Sequence, residues 1–170
     1  MALSNGKDFA VGQFDRLQGF YPRVEGKASF LFALNVGMAG VLAANLPVKN
    51  FLTHAAIPAW VSLLLLAFST YRLFGTFFPH LKGAKHKGLI YFGDIAALSS
   101  DDYIQRMKAY TDAELEHDAL CQIWRNSEIL QKKYDRAKYA FQATGLALVP
   151  WLLFISIVAS SGTTPIFKAG

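Results

Sequence analysis

The sequence predicts an all-α membrane protein with three transmembrane helices and a small cytosolic helical sensor region. Its third transmembrane helix is expected to be continuous with a long cytosolic helix. Three stretches without a formal charge carry that expectation: Ala28–Leu46 over 19 residues, Asn50–Tyr71 over 22 with His54 neutral, and Tyr139–Phe167 over 29. A bilayer core of about 30 Å needs about 20 apolar residues in a helix, so each stretch can span it. Composition agrees, since of 170 residues 53% are hydrophobic and 17% charged. A soluble bundle with wholly apolar core helices is the alternative, and three such runs exceed ordinary core-helix composition.

Residues 1–27 read as a cytosolic amphipathic helix, with Phe9, Val11, Phe14, Leu17 and Phe20 set among Asp15, Arg16 and Gln18. Pro22 is expected to end or kink it. Residues 28–78 hold the first two membrane helices. In the first, Ala33/Gly37 and Gly40/Ala44 are small residues four apart, a spacing that lets helices approach closely in lipid. Asn35 lies mid-membrane, where it either joins helices by hydrogen bonds or lines a pore. Glu25 and Lys27 stand just before this run, either as headgroup anchors or as the roof of a pocket. The turn Asn45-Leu46-Pro47 closes it. The second run opens near Pro58, places Trp60 and Tyr71 at the interfaces, and lets Arg72 snorkel to the inner surface.

Residues 79–138 form the expected cytosolic region, too short for a core of its own without help from the membrane-entering helices or a neighbouring subunit. Leu81–Leu98 reads as a loop whose apolar stretch Leu89–Phe92 fits either a strand or a tucked-in loop. Ser99 with Asp102, and Thr111 with Glu114, match reciprocal capping boxes and predict two helix starts. From Asp112 to Thr144 there is neither Pro nor Gly, so the second helix should run into the third membrane segment, 139–163, with Pro150 kinking it. Residues 164–170 are left as a periplasmic tail.

Net charge is +5, yet the placement of the charges tells more than their sum. Lys7, Arg16, Arg23 and Lys27 precede the first run, and ten lysines and arginines lie between Pro79 and Lys138. Lys49 and Lys168 stand alone in the other two connections. The positive-inside tendency then puts the N-terminus and residues 79–138 in the cytoplasm. Nine acids offset the basic residues of that segment, which argues against nucleic acid and for lipid headgroups as what its lysines meet.

No catalytic signature is present: HExxH, CxxC, GxSxG and phosphate-loop motifs are missing, and the glycines do not match a dinucleotide fingerprint. The single cysteine, Cys121, excludes an internal disulfide, and four scattered histidines do not spell a metal site. The expectation is a protein that is no enzyme and carries neither metal nor cofactor. The informative constellation is Asp118, Gln122, Arg125, Asn126, Ile129 and Lys133, spaced by three and four residues on one side of the long helix. This mixture of amide, guanidinium and carboxylate has two readings. It can hydrogen-bond a neighbouring helix or subunit. It can also bind a small anion, with Arg125 or Lys133 on phosphate, Gln122 and Asn126 on a base edge, and Trp124 or Tyr134 stacking.

Three segments together are familiar. Glu25-Gly-Lys27-Ala28 enters a helix bearing Asn35; Leu89-Ile-Tyr-Phe-Gly-Asp94-Ile-Ala-Ala-Leu-Ser99 follows; then come Gln122-Ile-Trp-Arg-Asn126-Ser127 and Lys132-Lys-Tyr134. In this order, over roughly Arg23 to Ser160, the chain resembles the transmembrane effector of bacterial Pycsar antiphage systems. Glu25 replaces the Asp of the family pattern. The resemblance implies a multi-pass protein of the bacterial inner membrane that senses a cyclic pyrimidine mononucleotide, cUMP or cCMP, as activating ligand. A pyrimidine nucleotide cyclase would make that ligand on infection, without direct contact. It implies disruption of that membrane. The shared helix face combined with the resemblance points Lys27, Asp118, Gln122, Arg125, Asn126 and Lys133 toward the ligand. Small-residue spacing and the mid-membrane amide put Asn35, Gly37 and Gly40 in the membrane packing or pore, and three helices that enclose little beyond their own packing suggest a homo-oligomer. The competing readings are a structural membrane subunit whose cytosolic helix docks a partner protein, and an effector for cyclic oligonucleotides.

Overall fold

The computed structural model describes residues 6–46, 54–78 and 88–161, without the side chains of residues 6–8 and 11. The expected turn at Pro47, the start of the second run, Leu81–Lys87 and the C-terminal tail lie outside the described residues. Six α-helices are seen among those residues: α1 (Gly6–Gln18), α2 (Phe20–Asn45), α3 (Ile57–Phe77, after a 3-10 turn at His54–Ala56), α4 (Phe92–Ala96), α5 (Ser100–Ala109) and α6 (Asp112–Ser160). No strand occurs among them. The stretches Gly12–Asn45, His54–Phe77 and Asp112–Ser160 are long and apolar enough to cross a membrane. The protein is thus all-helical with three such helices, the third a single run of 49 residues.

Two compact units divide the chain. One joins Val24–Phe78 with Lys133–Gly170, the other Met1–Arg23 with Pro79–Lys132.

The first of these is a bundle of α2, α3 and the C-terminal part of α6. On α2 the buried residues are Val24, Ala28, Leu31, Asn35, Met38 and Leu42. On α3 they are Ala59, Ser62, Leu66, Ser69, Leu73 and Thr76. Both series alternate steps of three and four, the 3.5-residue period by which supercoiled helices keep one seam in contact. Ala140, Thr144, Ala147 and Phe154 continue the pattern on α6. Small side chains on the seam bring backbones together, which is how helices associate where lipid removes the hydrophobic drive. Cross-contacts fix direction: Asn35 meets Thr144 and the Trp151 indole N–H donates to the Met38 carbonyl at 3.1 Å, so α2 and α6 run parallel. Ser62 reaches the Ala147 carbonyl and Ser69 that of Ala140, so α3 runs against them.

Within this bundle one polar layer separates two apolar ones. Met38, Leu42, Ala59, Leu66, Ala147 and Phe154 form the first apolar cluster; Ala28, Leu31, Leu73 and Ala140 form the second. Between them the Asn35 amide donates to Ser69 Oγ at 2.8 Å, the Thr144 hydroxyl donates to Asn35 Oδ1 at 2.8 Å, and Ser69 and Thr144 hydroxyls lie 2.9 Å apart. Asn35 therefore joins three helices. Gly37 and Gly40, by contrast, have open space where a Cβ would stand. Together with Ala33 and Ala44 they are exposed on the opposite side of α2 from the seam.

The other unit holds α1, α4, α5 and the N-terminal part of α6. The break after α1 falls at Gly19, whose N–H still donates to the Asp15 carbonyl at 3.0 Å. Pro22 sits in the first turn of α2, where its missing N–H costs nothing. The expected stop at Pro22 is corrected accordingly. Leu89–Phe92 is not a strand: residues 89–91 turn, Leu89 is buried, and Phe92 opens α4. Both helix starts are capped, reciprocally at Thr111 and Glu114. The Asp102 N–H donates to Ser99 Oγ at 3.1 Å, and the Thr111 N–H donates to Glu114 Oε2 at 2.8 Å. The Thr111 backbone and hydroxyl bonds hold the exposed Glu114 carboxyl below its ordinary range.

Candidate functional site

The polar face of α6 is built around Asp118. Its side chain is 2% exposed, and its carboxylate accepts the Leu89 N–H at 2.9 Å and the Tyr110 hydroxyl. The loop before α4 and the residue that closes α5 are thereby fastened to one turn of the long helix. A Cβ on Gly88 would lie 2.6 Å from Asp118 Cγ and 2.8 Å from Oδ1, so only glycine lets the loop backbone come this close. Burial, then the hydrogen bond and charge of Asp118, push the Tyr110 phenol up from 10.0 to about 12. A phenol in that state is neutral and donates.

Gln122, one turn on, is 6% exposed, and Arg125 and Asn126 are half-buried. The Arg125 guanidinium meets Glu128 at 2.7 Å on its own helix, and the Asn126 carbonyl accepts the Tyr21 hydroxyl at 3.0 Å. Asp94 Oδ2, on α4, is a buried acceptor with no hydrogen-bond partner among the described residues. Cys121 is a free, half-buried thiol 3.6 Å from the His117 imidazole. No cluster of three or more His, Cys, Asp or Glu suited to a metal ion occurs among the described residues.

Lys133 and Lys27 belong to the bundle, not to this unit. The Lys133 side chain is 5% exposed and its ammonium lies 2.5 Å from Glu25 Oε1. The charge of this buried ammonium is thus matched by a carboxylate within the bundle. Nearby, Arg136 donates to the Gly75 carbonyl in the last turn of α3, satisfying one of the carbonyls that a helix end leaves without an intrahelical partner. Arg72 sits 5.0 Å over the Tyr139 ring. Lys27 is exposed and lines a cleft of about 860 Å³ in the bundle. Of the six residues expected at a ligand, Asp118, Gln122, Arg125 and Asn126 belong to one unit and the two lysines to the other.

Sequence reasoning missed Tyr110, Gly88 and Leu89 as the partners of Asp118. Their one available signal was the glycine ahead of an apolar stretch, which is weak because the contact spans 29 residues of chain.

Three membrane-crossing helices, one of them running on into a polar helical unit, define a small multi-pass membrane protein. The family model of the Pycsar effector protein domain matches residues 9–160, and the chain belongs to that family. It is an antiphage membrane effector by that membership, of a family defined by membrane action rather than catalysis. No curated protein and no solved structure matches the chain.

Proposed function

We propose that the chain binds a cyclic pyrimidine mononucleotide, cUMP or cCMP, in the cytosol and then breaches the bacterial inner membrane, halting the infected cell. A pyrimidine nucleotide cyclase supplies the ligand without touching the effector. Family membership carries this reading, and the Gln122–Arg125–Asn126 face supports it chemically. A guanidinium suits a phosphodiester, and amides suit the edge of a pyrimidine. Phosphate at Arg125 competes with Glu128, a partly exposed partner whose loss costs little. Because Gln122 is buried, the base reaches it only if the unit opens, so binding favours one arrangement over another. That difference in affinity is what a ligand needs to shift a population. The excess of lysine and arginine before the first run and between the second and third supports a cytoplasmic N-terminus and a cytoplasmic position for this unit.

Calorimetry of the purified protein against a panel of cyclic nucleotides tests the reading. Binding of cUMP or cCMP is expected, weakened about tenfold or more in Arg125→Ala, as a charge-assisted contact of ~1.5–3 kcal/mol requires. Binding of cyclic oligonucleotides alone would overturn it.

A further inference from the structure

The cleft of about 860 Å³ in the bundle lies between two strips of side chain at helical spacing, with Leu73 of α3 contributing to its lining. Lys27 and Leu31 belong to the α2 strip; Tyr134, Lys138 and Phe141 belong to the α6 strip. The parallel contacts from Glu25–Lys133 to Asn35–Thr144 bring Lys27 and Lys138 within one helical turn of each other along the bundle. In sequence each is the last charge before an uncharged run, Lys27 ahead of Ala28 and Lys138 ahead of Tyr139. That is the depth of lipid phosphates. Neither lysine meets a carboxylate among the described residues. Deeper along the helices Leu31, Leu73 and Phe141 make the lining apolar apart from Gln142, with Phe141 mostly exposed at its edge.

We propose that this cleft is a binding site for an anionic phospholipid, its phosphate between Lys27 and Lys138 and an acyl chain along Leu31, Leu73 and Phe141. Two ammonium groups at the headgroup level attract an anion, and their stems cover apolar surface while the charges stay in water. A free anion would gain nothing from the apolar wall, and a zwitterionic lipid would gain less from the lysine pair. An amphiphile with net negative charge uses both. The proposal does not rest on the nucleotide reading, because the site needs no nucleotide to fill.

Native mass spectrometry of the detergent-purified, nucleotide-free protein titrated with phosphatidylglycerol or phosphatidylcholine tests it. Phosphatidylglycerol adducts should form at about tenfold lower lipid concentration than phosphatidylcholine adducts. K27Q/K138Q should abolish that preference, since each lysine contributes at the headgroup, and K27R/K138R should keep it. Ala137→Trp, which retains both lysines and fills the cleft, should also lose the adduct. Lys132→Gln, outside the cleft, should not. Equal phosphatidylglycerol binding by wild type, K27Q/K138Q and Ala137→Trp would overturn the proposal. So would an Ala137→Trp protein that changes its oligomeric state while holding lipid as before, because the cleft would then seat a second copy of the chain.

Discussion

The Asp118 carboxylate on α6 accepts the N–H of Leu89, 29 residues earlier in the chain, at 2.9 Å. One buried side chain therefore holds a loop to the long helix. Asp118→Ala leaves a buried N–H without its acceptor, a cost of ~1–3 kcal/mol. Hydrogen exchange at the Leu89 amide should accelerate about tenfold or more. Gly88→Ala should do the same by another route, since its Cβ would displace the carboxylate. Unchanged Leu89 protection in both variants would mean the loop is fixed by something else.

The Tyr110 phenol offers a pH test. Its pKa stands at about 12 against 10.0 for an ordinary tyrosine, from burial first and Asp118 second. A group whose folded pKa is raised stabilises the fold fully below its unfolded value. That contribution fades between pH 10.0 and about 12. The difference in tyrosinate absorbance between wild type and Tyr110→Phe should show a step near the upper value. Replacing Asp118 with Asn should bring the step down. A step at the ordinary position in wild type would contradict the burial of this hydroxyl.

The Asn35–Ser69–Thr144 layer should contribute modestly and cooperatively. Hydrogen bonds between helices in lipid average about 0.6 kcal/mol and reach about 2. Asn35→Ala and Thr144→Ala should each destabilise the protein by roughly 1 kcal/mol in detergent unfolding. Because the two side chains touch at 2.8 Å, the double variant should lose less than the sum. Strict additivity would show that the layer acts as separate contacts.

Glu25 and Lys133 form an unequal pair, with side chains 44% and 5% exposed. Glu25→Gln takes the anion from a buried ammonium, whereas Lys133→Met leaves a carboxylate that water can reach. Glu25→Gln should therefore cost more, between the ~1 kcal/mol of an exposed pair and the ~3–5 of a buried one. Thermal melting of the two single variants and of Glu25→Gln/Lys133→Met checks this, the double being expected to recover part of the loss. A costlier Lys133→Met would reverse the assignment.

The three spanning helices were readable because lipid leaves an unusually plain record: long uncharged runs with basic residues at their ends. The helix caps at Ser99 and Thr111 were equally legible, since their partners lie three residues away. The tertiary partners of the polar face were not. Periodicity puts Lys133 in line with Arg125 and Asn126, but the ammonium is claimed by Glu25, which lies 108 residues away. Gly19 outdid Pro22 as a helix break because proline in a first turn is harmless, whereas glycine inside a helix gives up backbone order. The burial of Asp118 was hidden for the same reason as Lys133: its partners are tertiary.

The glycines of α2 give the last test, which concerns assembly. Ala33, Gly37, Gly40 and Ala44 recur at steps of four, three and four, and all four are exposed in the single chain. The seam of the bundle lies on the other side, at Ala28, Leu31, Asn35 and Met38. Three helices of one chain are filled by their own packing, so a path through the membrane requires either several copies or local disorder of the lipid. A face of small residues suits the first, because it lets a second α2 or another helix come close. Among the described residues nothing stands within 4 Å of a Cβ at Gly40, so Gly40→Leu should fold, melt like wild type and keep the nucleotide binding proposed above. It should also lose ligand-dependent depolarisation of cells that co-express the cyclase, and lose the higher-mass species in detergent. Full depolarisation by Gly40→Leu, from a protein that stays monomeric at saturating ligand, would place membrane damage in the single chain instead.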